Sequence, residues 1–270
     1  MNDQSARALR FRELHERPEP LLLPNPWDAG TARLLASLGF EALATTSFGV
    51  ANQLGRKGVD RQDVLDNVRA ISEATPLPVN ADLENGFADD PAEAAKMIAD
   101  ACAAGAVGGS IEDATGDPAA PIYDFELAVE RVRAAVEAAR ALPVPFVLTA
   151  RAENLLWEAG DLDDTIRRLQ AFEAAGADVL YAPGLRTLDQ MRAVVSSVGR
   201  PVNVVMGFAD PTITLDRLAE AGVRRVSIGG ALSRVALGSF IDAAREMRDG
   251  RFGFVTRMAS ADELHAAFGP

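Results

Sequence analysis

The residues able to do chemistry sit in short stretches that each follow an apolar run. The sharpest is Pro78-Val-Asn-Ala-Asp-Leu-Glu-Asn-Gly-Phe87, where the run ends in two alternating carboxylates, Asp82 and Glu84. Alternation along a strand sends both side chains the same way. At the end of a buried strand they would repel each other unless a cation stood between them, and hard oxygen donors suit Mg2+, with Mn2+ the second choice. The alternative is that the pair caps a helix or lies in solvated loop. Ser110-Ile-Glu-Asp113 and Thr149-Ala-Arg-Ala-Glu153 then add Glu112 and Arg151. Several carboxylates around one arginine fit a metal ion held partly through water, with the arginine gripping a substrate carboxylate. A structural ion-pair network is the other reading of the same cluster.

What is missing narrows the reaction. The only lysines are Lys57 and Lys96, neither at the end of an apolar run where a Schiff base would form. His15 and His265 fall in terminal helical segments, expected on solvated faces, so no histidine base or zinc site is in view. Cys102, the single cysteine, reads as a core residue on a helix. Catalysis then rests on metal, carboxylates, arginine, hydroxyls and backbone amides. That set suits an enolate developing beside a carboxylate on a metal ion.

The elements that must position these groups alternate regularly. Candidate strands begin near Leu21, Ala42, Pro78, Ala106, Pro145, Asp178, Pro201 and Arg225, each followed by a polar turn and an amphipathic helix. Gly-Ala or Pro cues precede several of them, as in Ala104-Gly-Ala106 and Arg200-Pro201. Eight such units without a linker or composition break imply one α/β domain over 1–270, a (β/α)8 TIM-type barrel. Residues 1–18 read as an outer N-terminal helix, and 230–270 as C-terminal helices beyond what a minimal barrel needs. Ser260-Ala-Asp-Glu263 has the form of a capping box.

A net charge of −12 argues against nucleic acid and against an anionic membrane surface as partners. With no basic apolar leader and no apolar run of about 18 residues, the chain is expected to be soluble and cytoplasmic.

In a barrel the C-terminal strand ends converge on one face. Thr46, Ser47 and Phe48 after strand 2, the acids and Arg151 of strands 3 to 5, and Asn203 on strand 7 become neighbours, with Asn203 a candidate substrate contact. Gly229-Gly230 after strand 8 either cradles a phosphate or permits tight helix packing.

Taken together, Asn25-Pro-Trp-Asp28, Thr46-Ser-Phe-Gly-Val50, Asp82-Leu-Glu-Asn-Gly-Phe87, Ser110-Ile-Glu-Asp113 and Ala150-Arg-Ala-Glu153 resemble the isocitrate lyase and phosphoenolpyruvate mutase superfamily over most of the chain. The resemblance implies that family's modified barrel, Mg2+ as cofactor and a small keto or enol acid as ligand. It further implies Asp82 as direct metal ligand, Glu84 and Glu112 holding metal-bound water, and Arg151 as substrate arginine. By the same resemblance the amides of Thr46, Ser47 and Phe48 hold the pyruvyl unit, and Asp60 is the acid after the strand 2 loop.

The loop after strand 4 departs from the family. Classical lyases carry a Lys-Lys-Cys-Gly-His sequence there and the mutases a Lys and an Asn. This chain reads Ala114-Thr-Gly-Asp-Pro-Ala-Ala-Pro-Ile-Tyr123. Thr115, Asp117 and Tyr123 are its polar candidates for acid or base work. The expectation is a Mg2+-dependent C–C lyase passing through a metal-bound pyruvate-like enolate, similar to oxaloacetate decarboxylase or methylisocitrate lyase. P–C chemistry, as in phosphoenolpyruvate mutase or phosphonopyruvate hydrolase, is one alternative; a keto-acid-binding barrel with weak catalysis is the other. The resemblance also implies a homo-oligomer, dimer or tetramer, since relatives often exchange a C-terminal helix.

Overall fold

The computed structural model describes residues 3–268. The strands are β1 (Leu21–Leu23), β2 (Leu43–Ala44), β3 (Val79–Asp82), β4 (Gly108–Glu112), β5 (Val147–Arg151), β6 (Val179–Tyr181), β7 (Val202–Val205) and β8 (Arg225–Ser227). Each begins within about two residues of its sequence cue, because Gly and Pro end the preceding helix and leave the apolar run free to extend. The ladders are parallel and run β1-β8-β7-β6-β5-β4-β3-β2. Between β1 and β2 the Ala44 N–H donates to the Pro24 carbonyl at 3.0 Å and the Asn25 amide to the Thr45 carbonyl at 3.0 Å. Eight strands thus come round to a nearly closed (β/α)8 barrel.

The helices are α1 (Asp3–His15), α2 (Ala29–Ser37), α3 (Ser47–Leu54), α4 (Arg61–Ala74), α5 (Pro91–Ala103), α6 (Phe125–Arg140), α7 (Leu162–Ala174), α8 (Leu188–Ser197), α9 (Leu215–Glu220), α10 (Ala231–Arg248) and α11 (Ala261–Phe268). Those on the barrel wall bury Ala-rich faces, as α5 does with Ala94, Met97, Ile98, Ala101 and Cys102, so helix and sheet approach closely. Cys102 is buried and free, as its helix position implies.

One terminal element differs from the sequence reading. The segment read as an outer helix, α1, lies under the barrel: Ala8, Phe11 and Leu14 are buried, and Gln4 donates to the carbonyls of Cys102 and Ala106, just before β4. Phe11 fills the space a side chain at Gly108 would need, since a Cβ there would meet its ring at 2.6 Å. His15, expected in solvent, turns inward with it, its ring 4.6 Å from that of Phe11. At the other end, α11 begins with the expected Ser260–Glu263 capping box and packs on α2. Helix α10 buries only Ser233 and leaves Val235, Phe240 and Met247 exposed. Among the described residues no helix is long and apolar enough to cross a membrane.

Candidate active site

The cavity opens at the C-terminal ends of the strands and has a volume of about 420 Å3. Its roof is the start of α3, an eight-residue helix that follows directly on β2. Thr46 caps α3, accepting the Gly49 N–H at 3.3 Å, which leaves the Phe48 amide as the first-turn donor with neither a helical nor a cap partner. The Ser47 amide and hydroxyl both donate to Asp82 Oδ2, at 3.0 and 2.9 Å. Thr45 Oγ1 in turn accepts the Asp82 N–H at 2.8 Å. The end of β3 is thereby tied to the end of β2.

Arg151, at the end of β5, gathers the acids. Its Nη1 lies 2.8 Å from Asp82 Oδ1, its Nη2 3.0 Å from Glu112 Oε2, and its Nε donates to Glu153 Oε1 at 2.8 Å. Its guanidinium also stands 5.1 Å from the centre of the Tyr181 ring. Burial works against the arginine's charge, but Glu112, Glu153 and Asp82 overcome it and hold its pKa well above the ordinary value. Burial raises the pKa of Glu112 well above the carboxylate range and raises that of Glu153, each only partly countered by Arg151. Glu84 is pushed up to about 7, first by burial and then by the charge of Asp82. Its backbone is left-handed, φ 47°, a conformation that non-glycine residues seldom hold and that collects at functional sites. Beside the cluster, Asp113 accepts the Glu153 N–H at 2.7 Å and pairs with Arg168 at 3.1 Å, which fixes the ends of β4 and β5 together.

The donor set fits a hard divalent cation reached largely through water. The oxygens of Asp82, Glu84 and Glu112 face one space, and burial, joined at Glu84 by the charge of Asp82, disfavours the ionised forms of Glu84 and Glu112 that a cation would favour. Among the described residues no three acidic, histidine or cysteine side chains close directly on one point. A metal here would take one carboxylate directly and reach the others through its own waters, the habit of Mg2+.

Of the residues expected in the site, Thr46, Ser47, Phe48, Asp82, Glu84, Glu112, Arg151 and Asn203 all line this cavity. Four expected residues lie elsewhere. Asp60 is exposed and caps α4 in a capping box with Asp63, so the helix start places it outside the cavity. Thr115 donates to the Ala120 carbonyl at 2.7 Å in a small hairpin closed by the Ala114–Ile122 bridge. Asp117 accepts from Ala119 in that same hairpin. Tyr123 donates to Asp89 at 2.5 Å and stacks under Arg131, with its pKa pushed up to about 12, mostly by burial. The bare loop is folded onto itself and away from the acids.

Other cavity residues carry little sequence signal. Leu156, Trp157 and Phe208 line the cavity with Phe48. Asn25 holds the Ile228 and Gly229 amides at 3.0 and 2.9 Å. Those amides are thus already satisfied, and a Cβ at Gly230 would run into the Phe48 ring, so the Gly229-Gly230 pair serves packing.

The site is thus an acid-rich cavity at the top of a parallel (β/α)8 barrel, roofed by a helix N-terminus and centred on one arginine. The phosphoenolpyruvate phosphomutase family model matches residues 11–248, and the chain belongs to that family, within the isocitrate lyase and phosphoenolpyruvate mutase superfamily. A Burkholderia cenocepacia J2315 protein described as a lyase/mutase has a crystal structure 55% identical to this chain, with a TM-score of 0.97 over 100% of this chain and 98% of that one. The 2-methylisocitrate lyase of Escherichia coli K12 is 32% identical over 227 residues, 79% of this chain and 75% of that protein. Oxaloacetate acetylhydrolase, solved with its product oxalate, is 26% identical with a TM-score of 0.86, over 98% of this chain and 94% of that one.

Proposed function

We propose that the chain is a Mg2+-dependent lyase that cleaves a C–C bond next to the carboxylate of a small α-keto or α-hydroxy acid. The observation that carries this reading is Arg151 bridging Asp82, Glu112 and Glu153 directly beneath the amides of α3. Asp82 would hold the metal directly, with Glu84 and Glu112 on its waters, and the metal would supply Lewis-acid polarisation of the keto oxygen. The Phe48 amide, left over once the Ser47 amide goes to Asp82 and the Gly49 amide to Thr46, holds the substrate carboxylate, where the helix dipole favours an anion. Arg151 balances the negative charge that grows as the bond breaks. Phe48, Trp157 and Phe208, 53%, 43% and 49% exposed, stand at the mouth where they screen a bound substrate from water. Since Thr115, Asp117 and Tyr123 are turned to other partners, the proton that the leaving carbon takes up comes from within the cavity, by way of water held on Glu84 or Glu112.

The names of the relatives support acids such as methylisocitrate or oxaloacetate. P–C cleavage is disfavoured because loop 114–122 brings no cationic group for a transferring phosphoryl group. The test is keto-acid release from oxaloacetate, methylisocitrate, isocitrate, dimethylmalate and phosphonopyruvate, with and without a chelator, and with Arg151→Ala as control. Fast metal-dependent release from one carbon substrate, absent in the control, supports the reading. Saturable keto-acid binding with no turnover of any compound would instead make the chain a binding protein. The exposed face of α10 supports a homo-oligomer in which a second copy covers Val235, Phe240 and Met247.

A further inference from the structure

The inside of a closed parallel barrel is ordinarily filled by branched apolar side chains. Beneath Arg151 this barrel is polar: Asn80, Ser110, Thr149, Asn203, Arg225 and Ser227 are all buried there. Arg225 is 2% exposed, and its partners are neutral. Nε donates to Asn203 Oδ1 at 2.9 Å, Nη2 to Thr149 Oγ1 at 2.9 Å and Nη1 to His15 Nε2 at 3.4 Å. The other ring nitrogen of His15 lies 2.7 Å from the Phe11 carbonyl. It must carry the proton, which leaves Nε2 as an acceptor and the ring uncharged. The ion pairs formed by the acids of the site all go to Arg151. A guanidinium has five N–H groups, and these contacts use three.

A buried cation without a counter-charge is unfavourable unless something anionic completes it. Small side chains at Ala44 and Ser227 leave room above Arg225, and the cavity under α3 extends down to it. Asn80 lines the same space, and because its carboxamide oxygen has no partner in the barrel, nothing holds the amide against turning its N–H2 donors toward a bound anion.

We propose that Arg225 is the floor of an anion subsite inside the barrel, and that it receives a second carboxylate of the substrate. One end of the molecule sits at the α3 amides and Arg151; the other reaches down to Arg225, beside Asn80 and Ser227. The substrate is then a dicarboxylate, and a monocarboxylic keto acid binds weakly. This assignment rests on the keto-acid reading of the upper site. The guanidinium's alternative partner is a small inorganic anion such as chloride.

The experiment is calorimetric titration of 2-oxovalerate and 2-oxoglutarate, a pair differing at the far end by a methyl against a carboxylate, in chloride-free buffer with Mg2+. Oxalate serves as probe of the upper site alone. The protein should bind the diacid at least about tenfold more tightly, a normal gain for one well-placed charge pair. In Arg225→Met that preference should vanish while oxalate affinity stays within about twofold. Should Arg225→Met fail to fold, Ala44→Leu fills the space above an intact Arg225 and should erase the same preference. Equal affinities in the unmodified protein, or a preference that survives both variants, would overturn the proposal. If chloride raises thermal stability only when Arg225 is present and the diacid shows no advantage, the floor holds an inorganic ion and the substrate assignment is wrong. If oxalate and both keto acids all fail to bind, the reading of the upper site falls first.

Discussion

Arg151 and its three carboxylates show what one residue can do in a buried cluster and what a sequence reveals of it. Asp82, Glu112 and Arg151 were legible because each ends an apolar run, and the barrel brings run ends together. Asp60 enters the site through the family resemblance and Tyr123 as a polar residue of the loop after strand 4, and local hydrogen bonding takes both elsewhere. That difference is measurable. Asp60→Ala removes a helix cap and should lower stability by about 1 kcal/mol in chemical denaturation, with turnover unchanged. Tyr123→Phe removes the bond to Asp89 and should lower stability by roughly 1–2 kcal/mol, again with turnover within about twofold. A large drop in kcat for either variant at unchanged stability would return that residue to the chemistry. Arg225 is legible only as the start of a strand, since the meeting of distant segments alone shows that it, and not Arg224, points inward.

At the scale of elements, α1 and α3 decide most. Helix α3 was not anticipated, because eight residues beginning at a strand end continue its apolar run and offer no separate periodicity. Its seat depends on Gly230, so Gly230→Ala should push the Phe48 ring into the cavity and raise KM on the order of tenfold, read from steady-state kinetics beside an unchanged circular dichroism spectrum. An unchanged KM would mean that Phe48 does not border bound substrate. Helix α1 closes the barrel from below and carries His15, whose pKa is lowered to about 4, mainly by burial and then by Arg225. The unfolded chain takes up this proton near the ordinary imidazole value of about 6.5, whereas the folded chain refuses it until about 4. The contribution of His15 to stability therefore falls as the pH drops through that window. Glu84 and Asp113, both pushed up to about 7, act with the opposite sign, since the folded state keeps protons that the unfolded state releases. His15→Gln isolates the histidine: its denaturation midpoint should fall less than that of the unmodified protein between pH 6.5 and 4. Parallel curves would show that His15 is not held neutral.

For the molecule as a whole, eight apolar runs with Gly and Pro cues were enough to reveal a barrel, because the strand-helix period is written in hydrophobicity. The underside position of α1 and the exposed face of α10 were not, since these depend on how distant segments meet. The α10 face should hold copies together: sedimentation should give a multiple of the 28.6 kDa subunit, and Phe240→Glu should shift it toward one subunit. A mass of one subunit for the unmodified protein would rule out the homo-oligomer. The central claim is that the acids at the strand ends drive bond cleavage. Its most direct test is single-turnover release of the keto-acid product from the best substrate of the panel, in the unmodified protein and in Asp82→Asn, with Mg2+ and with chelator. The account predicts rapid release with Mg2+ and a loss of about a thousandfold or more, on the scale of removing a key electrostatic group, in the variant and with chelator alike. Equal rates in the two proteins, or release indifferent to metal, would contradict it.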